Sequence, residues 1–258
     1  KLPTPIVQIE ADPAMESRAY PADHFVAGDA ALALGGIAER VSGRLTLDPT
    51  LGDDLRAARA AARQAVTAAA APYQALVEGL ADSYPEDGPW VRDLTLSNSI
   101  WGNRLPAMTA PRQSVHPLGG AIGQGLPMAI GAALAGAGGK TVLLTGDGGL
   151  FVCAGELAAA KQEDADVTIV LMNDGGYGVI RNIQDAHYGA RNHYVKLHMP
   201  DFAAYFAALG IAHRRIDRPE DFADAFAEML AIDGPSVVEV DMAVIGPFAK
   251  RFAGPPVR

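Results

Sequence analysis

The sequence predicts an α/β fold, a doubly wound parallel sheet flanked by helices. Two runs support this prediction, TVLLT at 141–145 and VTIVLM at 167–172, because each is uncharged and apolar apart from its threonines, as strands buried on both faces are. A helical pattern over 150–162 separates them, and a later run, SVVEVD at 236–241, completes the series. Continuous apolar strands that alternate with helices are typical of a parallel sheet covered on both faces.

The N-terminal 45 residues predict one strand and one helix. The strand covers 5–10, and the helix covers 30–41, with Asp29 in the position of its N-cap. A single strand and a single helix cannot bury both of their faces. Either this strand and helix dock on the rest of the chain, or residues 1–45 are the tail of a domain whose first part precedes this chain, which is the interpretation that we favour.

The next segment, residues 46–70, predicts a linker with a helix, and residues 71–258 predict the second domain. An alanine-rich helical pattern runs over 55–80 and is interrupted at Pro72, since proline is tolerated in the first turn of a new helix. A loop rich in proline, glycine and aspartate follows at 84–89 and leads into the sheet.

Within the second domain, the sequence predicts a strand over 91–96 and a helix over 125–136. Apolar residues at helical spacing predict two more helices, over 202–209 and 221–230, before the last strand. The stretch 118–138 carries no charge, but its seven glycines and its proline predict a buried turn and a buried helix rather than a membrane span.

The amino-acid composition limits the classes of protein to which this chain can belong. The chain has 258 residues, of which 49% are apolar, enough for a sizeable core. Its 30 acidic and 21 basic side chains give a net charge of −9, which argues against nucleic acid or an anionic membrane as the main partner. The single cysteine, Cys153, excludes a disulfide framework and fits a cytoplasmic protein.

Two acidic residues follow the two buried strands. Asp147 lies in the turn GDGG at 146–149, and Asp174 lies in the turn NDGGYG at 173–178. They are 27 residues apart, the length of one right-handed βαβ unit, which brings the carboxyl ends of its two strands to the same edge of the sheet. Ligands of open α/β sheets bind at that edge, so we expect both carboxylates to face one crevice.

Two adjacent carboxylates repel each other, and a hard divalent cation offsets that repulsion. Glycines let the backbone approach a bulky anion, and the helix after Gly149 directs its first N–H groups towards it. The pattern therefore predicts a Mg²⁺–diphosphate site in which Asp147, Asp174 and the carbonyl of Gly176 are metal ligands. Either motif alone is typical of an ordinary turn, whereas the pair at two strand ends favours the site.

Other phosphate-binding motifs do not fit the sequence. No G-x-x-x-x-G-K-[ST] pattern is present, and the glycines of 123–125 and of 146–148 lack the third glycine of a dinucleotide-binding motif. A Mg²⁺-dependent phosphotransferase or phosphatase could use the same acidic edge and is kept as an alternative. The sequence shows no phosphate-activating lysine or nucleophile motif in support of it.

The GDG motif, followed 27 residues later by an asparagine-rich turn, resembles the signature of thiamine-diphosphate enzymes. The segment HPLGGAIGQGLPMAIG at 116–131 is similar to the family's G-x-x-G-x-G-L-P-A-A-I-G segment. GGYGVIR at 175–181 and GPSVVEVD at 234–241 resemble the acetolactate synthase and benzoylformate decarboxylase group, and residues 1–45 resemble the end of its middle domain. The resemblance implies the thiamine-diphosphate-binding fold.

The resemblance also implies a role for each residue that matches a family motif. Asp147 and Asp174 would bind Mg²⁺ through their side chains, and Gly176 through its carbonyl. Ile122 would be the aliphatic wedge that holds thiamine diphosphate bent, and the carbonyl of Gly120 would accept a hydrogen bond from the 4′-amine of the cofactor. The other residues of the implied cofactor site are Ser97, Asn98, Gly146, Gly148, Gly149, Asn173, Tyr177 and Gly178.

Two further residues are implied on the substrate side, since Val179 and Ile183 fall where family members line the substrate pocket. His116 lies just before the wedge segment, from which it either reaches the pyrimidine or the substrate or serves as a structural histidine. The implied reaction is decarboxylation or carboligation, or both, of a small-molecule 2-oxo acid through an enamine intermediate. A homodimer or homotetramer is also implied, because the sites of this family form between subunits.

This sequence differs from the family pattern at three points that affect these expectations. Many relatives carry asparagine where Asp174 stands, and acetolactate synthases usually carry tryptophan near Ile183. The catalytic glutamate of the family lies in an N-terminal pyrimidine-binding domain, and nothing in this chain matches that domain. We therefore expect the chain to be inactive alone, and a non-catalytic cofactor-binding or regulatory domain is the other alternative.

Overall fold

The computed structural model describes residues 2–136 and 138–254, and the chain divides into two compact units, residues 1–58 and 59–258. In the first unit, β1 (Val7–Glu10) pairs in parallel with β2 (His24–Ala27), and α1 (Ala30–Val41) follows.

The first unit confirms the predicted strand and helix and adds a strand. The carboxylate of Asp29 accepts a hydrogen bond from the N–H of Leu32 at 2.9 Å, as an N-cap does. β2 was not predicted because its sequence, HFVA, is too short to show a period. None of residues 2–58 is buried.

The second unit is built on a six-stranded sheet in which all neighbouring strands are parallel, in the order β4-β3-β5-β6-β8-β7. Its strands are β3 (Trp90–Arg92), β4 (Ser114–Val115), β5 (Thr141–Gly146), β6 (Val167–Asn173), β7 (Ala212–Ile216) and β8 (Ser236–Asp241).

Helices connect these strands and cover both faces of the sheet. They are α2 (Leu51–Ala69, which begins before this unit), α3 (Gln74–Ser83), α4 (Gly125–Leu134), α5 (Asp147–Val152), α6 (Glu156–Gln162), α7 (Gly178–His187), α8 (Phe202–Ala208), α9 (Phe222–Leu230) and α10 (Met242–Ile245).

Alternate side chains of the central strands enter two separate hydrophobic cores. On β5, Val142 and Leu144 join the core formed with α3 and α9, whereas Leu143 joins the core formed with α4, α6 and α8. All three side chains are fully buried, which explains why β5 and β6 are mainly apolar and contain no charged residue. The predicted doubly wound α/β fold is confirmed.

Two predicted elements differ in extent. The strand predicted over 91–96 ends at Arg92, because the carboxylate of Asp93 accepts a hydrogen bond from the N–H of Leu94 at 2.7 Å and the chain leaves the sheet. A single turn of π-helix follows at Asn98–Gly102. The helix predicted over 150–162 is two helices, α5 and α6, because α5 begins inside the GDGG turn and the chain turns again after it.

The remaining differences concern Pro72 and the polar elements. Pro72 lies in the connection before α3 and not in its first turn, since α3 begins at Gln74. Neither the two-residue β4 nor the polar edge strand β7 was predicted, and the polar helix α7 was also missed. Among the described residues, no helix combines the length and the apolar composition needed to span a membrane.

Candidate cofactor site

The two predicted aspartates meet at the carboxyl edge of the sheet. Asp147 is the first residue of α5, directly after β5, and Asp174 follows β6. Gly146 and Met172 are paired at the ends of these neighbouring strands, so the two turns leave the sheet side by side. The N–H of Asp174 lies 3.4 Å from Oδ1 of Asp147 and donates a hydrogen bond to it.

Burial raises the pKa of both carboxyls, and the charge of Asp174 adds to the rise at Asp147. Asp147 is fully buried, and its burial, with the nearby charge of Asp174, raises its pKa to about 7. Burial also raises the pKa of Asp174, although the Arg181 guanidinium, 3.3 Å from Oδ2, opposes that rise. One arginine beside the buried carboxylate of Asp147 and the half-buried carboxylate of Asp174 leaves net negative charge at this edge, which favours a bound cation.

One oxygen of this pair lacks any protein partner. Oδ2 of Asp147 is buried and makes no hydrogen bond with the described residues. Leaving a buried carboxylate oxygen unsatisfied costs free energy, and such groups in native proteins are satisfied by a ligand, an ion or an ordered water molecule. The residues present therefore fit a hard metal ion at this position.

Glycines keep the approach to this pair open. A side chain at Gly178 would overlap Oδ2 of Asp174, and a Cβ at Gly148 would lie 2.7 Å from the ring of Tyr177. The turn at 175–177 is held from outside by residues 195–197, since the N–H of Tyr177 donates to the carbonyl of Val195 at 2.8 Å. The backbone is therefore exposed to the crevice but fixed in position.

A cavity of about 600 Å³ opens beside the aspartates. Its lining residues are Leu94, Thr95, Leu96, Gly120, Ala121, Ile122, Gly146, Gly148, Gly149, Asp174, Gly176, Tyr177, Gly178, Val179 and Ile180. Three separate parts of the chain thus meet at one place: the wedge segment, the GDGG turn and the NDGGYG turn. Glycine backbone and aliphatic side chains dominate the wall, and Ile122 is 39% exposed.

Asp147 is fully buried and lies outside this lining, as do five other predicted site residues. Asn173 donates through Nδ2 to Glu239 at 2.7 Å, and Asn98 accepts from Arg92 at 3.1 Å, so both amides are engaged elsewhere. Ser97 is fully buried, and its hydroxyl has no partner in the part of the chain described.

His116 and Ile183 are the last two predicted site residues that lie outside the cavity lining. His116 is exposed on the segment before the wedge. Ile183 lies one turn further along α7 than Val179, beside Gly254.

Sequence reasoning missed Asp93, a buried carboxylate beneath the cavity. Both of its oxygens accept a hydrogen bond from the N–H of Gly123, at 2.9 and 3.1 Å, and Oδ1 also accepts from Leu94. Burial raises its pKa, and these N–H groups and the Thr145 hydroxyl oppose the rise. Asp93 thereby ties the end of β3 to the residue next to Ile122. Its position just after a strand was the signal available in the sequence.

The fold and the cavity together define a cofactor-binding α/β domain with an acidic, glycine-lined site at the carboxyl edge of its sheet. Residues 97–240 match the family described as thiamine pyrophosphate enzyme, C-terminal TPP binding domain. That match covers more than half of the chain. The chain belongs to the thiamine pyrophosphate enzyme family and carries its TPP-binding domain.

Two curated relatives and one solved structure show the extent of the similarity. A Pseudomonas aeruginosa protein named "Probable 2-ketoarginine decarboxylase AruI" is 30% identical over 241 residues, 90% of this chain and 41% of the relative. The catabolic acetolactate synthase of Raoultella terrigena is 29% identical over 91% of this chain and 43% of its own length. Benzoylformate decarboxylase from Polynucleobacter necessarius superposes with a TM-score of 0.68 at 20% identity, over 90% of this chain and 43% of that one.

The identities and coverages support one conclusion about the fold and one about the length of the chain. The structural similarity, at 20% identity, supports the α/β fold. The chain spans less than half the length of these relatives.

Proposed function

We propose that this chain supplies the Mg²⁺–diphosphate half of the active site of an enzyme that decarboxylates a 2-oxo acid, joins it to a second carbonyl compound, or does both. The observation that carries the proposal is the pair Asp147 and Asp174, with one buried oxygen that lacks a partner, beside a glycine-lined cavity. The names of the two curated relatives, a decarboxylase and an acetolactate synthase, support the reaction class.

In this proposal the metal ligands are the carboxylates of Asp147 and Asp174 and the carbonyl of Gly176. A divalent cation would keep both carboxylates ionised at neutral pH, against the burial that raises their pKa values. The backbone N–H groups of Gly148, Gly149 and the 177–178 turn would contact the diphosphate. Thiamine diphosphate, when bound, supplies an electron sink for the carbanion that remains after loss of carbon dioxide.

In this proposal the rest of the cavity positions the cofactor and excludes water. Ile122 would hold the cofactor bent, and the carbonyl of Gly120 would orient its amine. Leu94, Leu96 and Val179 form an aliphatic wall that keeps water from the reacting centre. We assign His116 and Ile183 to the substrate side, and Ser97, Asn98 and Asn173 to the support of the cofactor turns.

The whole enzyme requires more than this chain. We propose that an N-terminal pyrimidine-binding domain carries the catalytic glutamate, that the division into residues 1–45, 46–70 and 71–258 follows the family's domains, and that the enzyme is a cytoplasmic homodimer or homotetramer. The length of the relatives supports a longer protein, and the single cysteine supports the compartment.

Calorimetric titration of thiamine diphosphate tests the metal site. We expect binding with Mg²⁺ and none with EDTA, and we expect Asp147→Asn to weaken binding at least about a hundredfold, since even residues behind a metal ligand affect affinity by 10–100-fold. Asp233→Asn is the matched control, because Asp233 is exposed and distant in sequence from both turns.

Affinity that is the same in EDTA, or the same in Asp147→Asn, would refute the metal assignment. If this chain alone binds no cofactor, the same titration on the complete gene product decides between a missing partner domain and a wrong site. Turnover of 2-oxo acids by the complete protein then tests the reaction class.

A further inference from the structure

A second cavity lies beside β3 and β4 and shares no lining residue with the cofactor cavity. Its volume is about 260 Å³. Three arginines line it, Arg59 from α2, Arg92 from the end of β3, and Arg104 from the loop after the π-helical turn, together with Asn103 and Ser114. No acidic residue belongs to this lining, although the chain as a whole carries a net charge of −9.

Arg92 is the unusual member of this group. Only 8% of it is exposed, so its guanidinium is placed inside the protein. Its Nη1 donates to Oδ1 of Asn98 at 3.1 Å and its Nη2 to the hydroxyl of Ser114 at 3.2 Å, both neutral acceptors. Its Nε is buried and has no partner. Across residues 2–136 and 138–254, no carboxylate lies within 4.0 Å of this guanidinium to form an ion pair.

A buried charge without a counterion is costly, and almost all buried arginines are paired for that reason. Burial lowers the pKa of Arg92, but an arginine side chain stays protonated in proteins, so the charge cannot be removed by losing a proton. Among the described residues the charge is therefore left for an external anion to neutralise.

The other two arginines supply the remaining charge of the cavity. One Nη of Arg104 is held by the carbonyl of Ser99 at 3.0 Å and by the side chain of Asn103 at 2.8 Å, which fixes the guanidinium at the cavity wall. The side chain of Arg59 makes no hydrogen bond or ion pair with any other described residue, so its guanidinium is available to a ligand.

We propose that this cavity is an anion site that binds a phosphate group, either inorganic phosphate or the phosphate of a small monoester. Three guanidinium groups around one cavity favour a ligand with more than one negative charge, and their planar forks match phosphate oxygens. Pro106 and Met108 add an apolar part to the lining, which could receive the organic part of an ester. The argument for this site does not rest on the proposed reaction, and its occupancy would stabilise the edge of the sheet at β3 and β4.

Isothermal titration calorimetry of the complete chain tests this proposal, with sodium phosphate and with propyl phosphate as the two probes, at an ionic strength held constant with sodium chloride. We expect saturable millimolar or tighter binding of at least one probe. A higher affinity for propyl phosphate would assign the site to phosphate esters, and a higher affinity for phosphate would assign it to the free ion.

Three variants locate the site. Arg92→Met removes the buried charge at similar length, and we expect it to weaken phosphate binding roughly tenfold or more, since a hydrogen bond to a charged group contributes about that factor. We also expect its ligand-free unfolding temperature to be unchanged or higher, because an unpaired buried charge is gone. The double variant Arg59→Gln/Arg104→Gln changes only exposed residues, so it keeps the fold, and it should also weaken binding.

Arg63→Gln is the matched control, since Arg63 lies on the same helix as Arg59 but outside this cavity. It should bind phosphate as the unchanged chain does. The proposal is overturned if the unchanged chain binds neither probe at millimolar concentration, or if the double variant and Arg92→Met bind phosphate as tightly as Arg63→Gln does.

Discussion

Single carboxyl groups govern how this protein responds to pH. Asp147 is fully buried and its pKa is raised to about 7, whereas an unfolded aspartate has a pKa near 3.9. Between these two values the folded chain binds a proton that the unfolded chain has released. With Mg²⁺ removed by EDTA, Asp147 should therefore make the free energy of unfolding fall as pH rises from about 4 to 7, and its own contribution is at most roughly 1.4 kcal/mol per pH unit.

Urea unfolding in EDTA at several pH values measures this slope. Asp147→Asn lacks the titrating carboxyl, so its free energy of unfolding should depend less on pH over the same range. Added Mg²⁺ should restore stability at pH 7 in the unchanged chain and not in the variant. If both proteins show the same slope, the raised pKa of Asp147 is not the cause.

Two helical glycines can be replaced to distinguish what the cofactor site requires from what the fold requires. Gly178 is the first residue of α7, and any side chain there would overlap the carboxylate of Asp174. We expect Gly178→Ala to displace that carboxylate and to abolish Mg²⁺-dependent binding of thiamine diphosphate, as measured by calorimetry. Far-ultraviolet circular dichroism should show that the secondary structure is retained, because only one turn must move.

Gly131→Ala is the matched control within α4. Nothing lies within 4 Å of a Cβ at this position, and alanine is the better helix former. We expect this variant to bind the cofactor normally and to gain up to about 1 kcal/mol in the free energy of unfolding. Equal loss of binding in both glycine variants would show that the effect is not specific to Asp174.

Over the whole molecule, the two units differ in how well their backbones are protected. No residue of 2–58 is buried, whereas nearly every residue of β5 and β6 is. Because burial of apolar surface is the main source of stability, we expect amides of β1 and β2 to exchange with solvent at least roughly a hundredfold faster than those of β5 and β6. Hydrogen exchange followed by mass spectrometry gives this comparison, and equal protection in both units would contradict it.

Strands and helices with a strong local sequence pattern were predicted accurately, whereas those with a weak pattern were missed. β5, β6 and β8 were predicted within one residue, because strands buried on both faces are rich in β-branched and other apolar residues. The N-cap at Asp29 marked the start of α1 for a similarly local reason. By contrast, β7 (AHRRI) is a polar edge strand and α7 (GVIRNIQDAH) has a polar face, so neither stands out from a loop by composition.

The site residues also differ in whether a local sequence pattern could predict them. Asp147 and Asp174 could be paired from the sequence because one βαβ unit places them together, and the geometry of such units varies little. Asp93 could not, since its main partner, Gly123, lies 30 residues away on a loop whose path no local pattern predicts.

The sequence by itself determined the doubly wound fold, the acidic edge of the sheet and the resemblance to thiamine-diphosphate enzymes, since each is encoded in short stretches whose meaning does not depend on distant residues. Only the tertiary structure decided which oxygen of Asp147 lacks a partner, how Asp93 holds the wedge segment, and that Arg92 is buried without a counterion. The physical reason is that burial and charge compensation are set by residues far apart in the chain, which meet only after folding.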